Sequence, residues 1–215
     1  MRVRADLNIS LDGIAATVGT PDNPMGDDWM RLIQHYIATR TFRERVMNDT
    51  SGAGTTGMDD RYAQEYFVGI TAEIMGAGMF GLHIHPNDPD WKGWWGDNPP
   101  FHYPVFVLTH ETRPSLEMEG DNTFHFISES PQAALDRAIA VANGGDIRIG
   151  GGPTTVRSFL QAGLIDELHV AIVPTIINNG IRLWDDLAHL EDTYQSRSEV
   201  AESGVIHTSF SRKTL

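Results

Sequence analysis

"DIRIGGGPTTVRSFLQAGLIDEL", Asp146 to Leu168, is the stretch on which the reading of the fold turns. A short apolar alternation runs through three of the chain's 21 glycines into what reads as an amphipathic helix. A strand entering such a helix start presents free backbone N–H groups and the positive end of the helix dipole, and such a point binds anions. Gly151 and Gly152 remove the Cβ atoms that would keep a pyrophosphate away, Pro153 starts the helix without spending a donor, and Thr154 and Thr155 add hydroxyls. The same glycines also serve a tight strand-to-helix turn, and the triplet alone leaves both readings open. It is not a G-x-G-x-x-G fingerprint, and no acidic residue follows about twenty positions later at a strand end.

A second glycine-bearing turn stands in the same context, "AEIMGAGMFG", a buried strand that stops at Gly76. Around these two turns the chain alternates strands and helices. "RVRADLNIS" has the period-2 pattern of a half-buried strand and ends at the turn "LDG". "DDWMRLIQHYIATRTF" reads as one helix with Asp27 or Asp28 as cap, and "MDDRYAQEYFVGITA" as another capped by Asp59 or Asp60. The loop "NDTSGAGTTG" between them is a lid or a connector. "HPNDPDWKGWWGDNPPFHYP" is a long ordered loop, because three tryptophans in five residues are costly to leave in water. "VFVLT" and "TFHFIS" are strands, and "SPQAALDRAIAVA" is a helix with Ser130 as cap and Pro131 at its first position. "IDELHVAIVPTII" is a long strand broken by Pro174, which points to an edge or a bend. Two more strands turn around Ser203 and Gly204. The pattern is α/β, three layers with a mainly parallel central sheet and antiparallel C-terminal strands, flanked by helices, in a single domain over 1–215.

Composition narrows the partners. With 29 acidic and 16 basic residues the formal charge is -13, which disfavours nucleic acid and anionic membrane surfaces. The absence of cysteine excludes disulfides, iron–sulfur ligation and thiol catalysis. No apolar run approaches about 18 residues, so a cytoplasmic protein is the simplest expectation.

With "NISLDG", "IMGAGMFG", "PVFVLTHETR" and the run from Asp146 to Asp186 in place, the chain resembles the dihydrofolate-reductase-like superfamily over its whole length. It resembles in particular proteins related to the reductase domain of the bifunctional riboflavin-biosynthesis deaminase-reductase. The resemblance implies a dihydrofolate-reductase-like fold, a homodimer, and NADPH as cofactor. It places the pyrophosphate at Gly150, Gly151, Gly152, Pro153, Thr154 and Thr155, brings Gly76 and Gly78 close to the cofactor, and puts Thr109, His110 and Arg113 near the ribose phosphate. Ala77 stands where the family usually has arginine, which opens NADH as an alternative. Ile14 stands where a basic residue usually follows "SLDG", which argues against a phosphorylated ribosylamino-pyrimidine as substrate.

The expected activity is hydride transfer from NAD(P)H to a small, flat heterocyclic or carbonyl-bearing metabolite, related to 5-amino-6-(5-phosphoribosylamino)uracil reductase or dihydrofolate reductase. Such chemistry asks little acid–base machinery of the protein. Asp12 is the candidate for a substrate contact or proton relay, against a role in shaping its own turn. Trp29 and Met30 are candidates to wall a flat substrate, though packing is the commoner role. The pair His83 and His85 lacks a third ligand at short spacing, so no metal is expected. Two alternatives remain beside the nicotinamide reductase: a nucleotide-binding or sensor module of the same fold without catalysis, and a reductase that uses a flavin.

Overall fold

The computed structural model describes residues 1–20, 22–86, 88–111 and 113–214. In chain order the elements are β1 (Val3–Ser10), β2 (Ile14–Thr17), α1 (Trp29–Ile37), α2 (Arg40–Arg45), α3 (Met58–Glu65), β3 (Ile70–Gly76), α4 (Ala77–Phe80), β4 (Pro104–Leu108), β5 (Leu116–Met118) and β6 (Asn122–Ile127). There follow α5 (Pro131–Val141), β7 (Asp146–Gly151), α6 (Pro153–Gln161), β8 (Glu167–Val173), β9 (Gly180–Arg182), α7 (Leu190–Thr193), β10 (Tyr194–Val200) and β11 (Ile206–Arg212). The contacts divide the chain into two compact units, Met1–Ala5 with Gly69–Ile165, and Asp6–Val68 with the chain from Asp166 onward.

The first unit is a parallel sheet. β7 pairs in parallel with β1, Val3 opposite Ile147 and Ala5 opposite Ile149, and on its other side with β3. β3 pairs in parallel with β4 and β4 with β6, while the short β5, not foreseen from sequence, closes antiparallel on β6. Central strands of such a sheet are apolar on both faces, which is why "VFV" within β4 is fully buried. Ser130 caps α5 as expected, its Oγ accepting from the Ala133 amide at 3.3 Å with Pro131 next to it. The tryptophan loop is tied down: Trp91 Nε1 donates to the Phe80 carbonyl and Trp94 Nε1 to that of Met79, and Trp95 packs on Phe80, Phe101 and Phe124.

The second unit carries the antiparallel C-terminal strands, β10 with β11 and β11 with β8, and a small ribbon of β2 with β9. The single helix expected over residues 27–42 is two. α1 ends at Ile37, and Thr39 then caps α2, its Oγ1 accepting from the Phe42 amide and donating to the Tyr36 carbonyl. The aspartates do not cap as expected. Asp28 stands at the start of α1 without a capping bond and pairs instead with Arg31. Gly57 precedes α3, and Asp59 and Asp60 lie in its first turn with their carboxylates turned to other partners. β8 stops at Val173, before Pro174, and Leu168, Val170, Ala171 and Val173 are buried within the chain.

Candidate functional site

The segments expected to hold a cofactor meet at one end of the first unit. β7, β3 and β4 are parallel neighbours, with Met75 opposite Gly151 and Gly76 opposite Leu108, so their carboxyl ends and the turns that follow them lie side by side. That edge of an α/β sheet is where ligands bind. The glycines there have different reasons to be glycine. A Cβ on Gly150 would stand 1.9 Å from Glu73 Oε1, and one on Gly76 would stand 2.3 Å from Thr155 Oγ1. Those two positions are required by close packing. Gly151 has a φ of 110°, in the region that favours glycine. Gly152 has an ordinary φ of -73° and a Cβ there would meet no atom within 4 Å. Among the described residues no packing contact asks for glycine at Gly152, and the space its Cβ would take before α6 is open.

The helix start behind that space is uncovered. α6 has no side-chain cap and no acidic residue in its first turn, Pro153 occupies its first position, Thr154 is exposed and Thr155 half-buried. An anion placed there would meet backbone N–H groups and the positive dipole end. Glu73, beneath Gly150, is 1 % exposed and accepts from the Tyr103 hydroxyl at 3.0 Å and from Arg148 at 3.5 Å. It forms the floor of the turn.

The remaining cofactor candidates are less uniform. Gly78 is exposed, its nearest neighbour being the His83 ring. Thr109 forms a local turn with Glu111, and His110 is exposed. Arg113 is already engaged: it donates to the carbonyls of Asp88 at 3.3 Å and Trp91 at 2.5 Å, and its guanidinium lies 4.4 Å from the centre of the Phe126 ring. Burial pulls its pKa down, consistent with a cation spent on holding the loop. His85 stacks on Trp91 at 3.8 Å, and among the described residues no group of three or more metal-ligating side chains gathers.

Asp12 and the substrate candidates belong to the second unit. Asp12 Oδ1 accepts from Ser10 Oγ at 2.5 Å and the Ile177 amide at 3.2 Å, and Oδ2 accepts from the Asn178 amide at 2.7 Å. Led by the Ser10 hydroxyl and joined by the two amides, these bonds hold its pKa at about 2. At neutral pH it is an ionised acceptor. The start of α1 reaches the same segment, because Arg31 donates to Thr175 and to the Ile176 carbonyl. Trp29 is half-buried there and Met30 is 46 % exposed. Ile14 is 1 % exposed and packs with Leu32 and Ile177, so its side chain belongs to a core cluster.

One polar cluster has no counterpart in the sequence reading. Tyr66 Oη lies 3.1 Å from His169 Nδ1, His169 Nε2 lies 3.0 Å from His207 Nδ1, and His207 Nε2 lies 2.8 Å from Asp59 Oδ1. The Tyr62 ring stacks over both imidazoles, at 4.4 and 4.2 Å, and His35 meets His207 edge-on at 6.3 Å. Asp59, Tyr62 and Tyr66 share one face of α3 and its C-cap, while His35, His169 and His207 come from α1, β8 and β11, so no local spacing joins the histidines to that face.

The chain is similar to a protein of Shewanella sp. PV-4 assigned to riboflavin biosynthesis, at 21% identity with all of both chains covered and a TM-score of 0.59. It is similar also to the dihydrofolate reductase of Enterococcus faecalis, solved with NADP(H) and RAB-propyl, at 12% identity over 99% of this chain and 97% of that one, with a TM-score of 0.50. At such identities the likeness shows the fold, which is dihydrofolate-reductase-like as expected. Among curated proteins no match is found. Among the described residues no helix is long and apolar enough to cross a membrane. The family described as the RibD C-terminal domain matches residues 2–206, nearly the whole chain, and this protein belongs to it.

Proposed function

We propose that this protein is a nicotinamide-dinucleotide-dependent reductase of a small metabolite. The observation that carries the reading is Gly152, a glycine whose missing side chain serves no packing need and leaves the uncapped start of α6 open. The residues fit a pyrophosphate. Gly151 and Gly152 keep the approach clear, the α6 amides would donate to the phosphate oxygens, and Thr154 and Thr155 add hydroxyls. The cofactor, when bound, supplies the hydride.

Recognition of a 2′-phosphate has weaker support. Ala77 brings no charge, and the Arg113 guanidinium is committed to two carbonyls and an aromatic ring. NADPH and NADH are therefore expected to bind within about tenfold of each other, a difference of about 1.4 kcal/mol. Asp12, with Trp29 and Met30, is the proposed substrate contact. Its carboxylate, ionised and holding the Ile177 and Asn178 amides, acts as a positioning acceptor, and the proton that follows hydride comes from water.

Tryptophan fluorescence titration with NADPH and NADH tests the reading. Saturable quenching by both is expected, and Gly152→Val should weaken both more than about a hundredfold with the melting temperature unchanged, since its Cβ enters open space. Failure of either dinucleotide to bind at millimolar concentration would sink the proposal. Binding without loss of nicotinamide absorbance across dihydrofolate and a panel of small carbonyls would favour a sensor of the same fold.

A further inference from the structure

The hydrogen bonds joining Tyr66, His169, His207 and Asp59 take their direction from the carboxylate end. An ionised Asp59 can only accept, so His207 donates from Nε2 and its Nδ1 is left to accept from His169 Nε2. His169 Nδ1 then accepts from the Tyr66 hydroxyl. With both imidazoles neutral, every donor in the chain meets an acceptor.

We propose that this chain is an acid-sensitive latch that holds α3 on β8 and β11, closed while at most one of the two imidazoles carries a proton and released by the second. A first proton is accommodated without moving a heavy atom. His207 becomes an imidazolium beside Asp59 and donates from Nδ1, while His169 changes tautomer, accepts at Nε2 and donates from Nδ1 to the Tyr66 oxygen. A second proton leaves N–H groups facing each other across 3.0 Å and places two like charges in one stack under Tyr62. No acceptor lies between them in that line.

The groups packed around the stack do not relieve that conflict. From α1, His35 is 8 % exposed, its Nδ1 is buried without a hydrogen-bond partner, and burial pushes its pKa down to about 4. From α3, Asp60 serves the Thr41 amide and Gln64, and Arg61 pairs with Glu199, while Glu65 lies one turn further along. From β10, Glu199 also accepts from the Tyr62 hydroxyl and pairs with Arg197. Burial, with His207 and His35 nearby, pushes His169 down to about 3. Burial lowers His207 as well, against the opposing pull of Asp59.

An unfolded histidine titrates near pH 6.5, so the latch contributes fully above that pH. Its contribution is lost as pH falls from there toward 4 and 3, because the unfolded chain takes up protons that the folded stack refuses. Each refused proton costs about tenfold in the folding equilibrium per pH unit, so two refused by the three histidines amount to about a hundredfold per unit.

Hydrogen exchange on the full chain at about pH 7.5 and about pH 5, corrected for intrinsic rates, tests the latch. The α3 amides should lose at least about tenfold more protection on acidification than the α6 amides. Equal losses would overturn the proposal. The double variant His169→Gln, His207→Gln keeps donors and acceptors but cannot titrate, and should cut the pH slope of unfolding stability to about tenfold per unit; an unchanged slope would overturn it. Should that variant fail to fold, imidazole nitrogen shifts of the native chain decide. Both rings should be neutral at about pH 7.5 with Nδ1 unprotonated, and imidazolium at both positions in the folded chain would refute the assignment.

Discussion

The glycine turn of the first unit and the histidine stack of the second are built on opposite principles. The turn works through side chains that are missing, at Gly150, Gly151, Gly152 and Gly76, and its members are mostly consecutive in the chain. The stack works through side chains that are present, Asp59, His169 and His207, brought together from positions up to 148 residues apart. A missing side chain leaves a mark in the local sequence, because glycine before a proline at a strand end is unusual whatever the tertiary context. A contact across the fold leaves none. His169 sits in "ELHVAIV" and His207 in "IHTSFSR", and nothing in either strand's own sequence marks its histidine as a partner of the other.

The largest expected effect separates two glycines of the same triplet. Gly150→Ala drives a Cβ onto Glu73 Oε1, 1.9 Å away, and Glu73 is held from both sides by Tyr103 and Arg148. Overpacking that disturbs a buried ion pair should cost about 3 kcal/mol. Gly152→Ala meets no atom within 4 Å and should leave stability within about 0.5 kcal/mol of the parent. Denaturant unfolding of both proteins would show it. Equal costs would mean that the triplet is simply a tight turn, and the argument for an open phosphate space would fall with it.

The stack is sharpened next. Asp59→Asn keeps an acceptor for His207 Nε2 but removes the charge that orients the chain, and should cost about 2 kcal/mol at neutral pH. The loss should shrink toward acid, where the parent's own latch weakens. A constant difference across pH would show that the Asp59 contact is uncoupled from the imidazoles.

How much of this was legible varies with distance along the chain. The parallel strands, the antiparallel tail and the turns at Gly76 and Gly150 follow from period and punctuation, and the structure agrees with them. The misreadings lie where tertiary partners override a local rule. Asp28, Asp59 and Asp60 have the chemistry of caps, yet Arg31, His207 and the Thr41 amide claim their carboxylates. Arg113, expected near a ribose phosphate, also donates to two loop carbonyls, which no local pattern foretells. β5 is only three residues long and β2 four, too short for alternation to stand out.

The smallest expected effects compare one cap from each unit. Ser130 announces itself by the proline that follows, and its bond to the Ala133 amide is long, at 3.3 Å, on an exposed residue. Thr39 sits inside what reads as a continuous helix, is fully buried, and makes two bonds, at 3.1 Å from the Phe42 amide and 2.7 Å to the Tyr36 carbonyl. Water can replace the first cap but not the second. Ser130→Ala should therefore cost about 0.5 kcal/mol and Thr39→Ala about 2 kcal/mol, the two ends of the usual range for a lost cap. Thermal unfolding of the two variants should rank them in that order. The reverse order would mean that residues 29–45 tolerate a continuous helix after all, and that the break at Thr39 contributes nothing to holding α2 against α3.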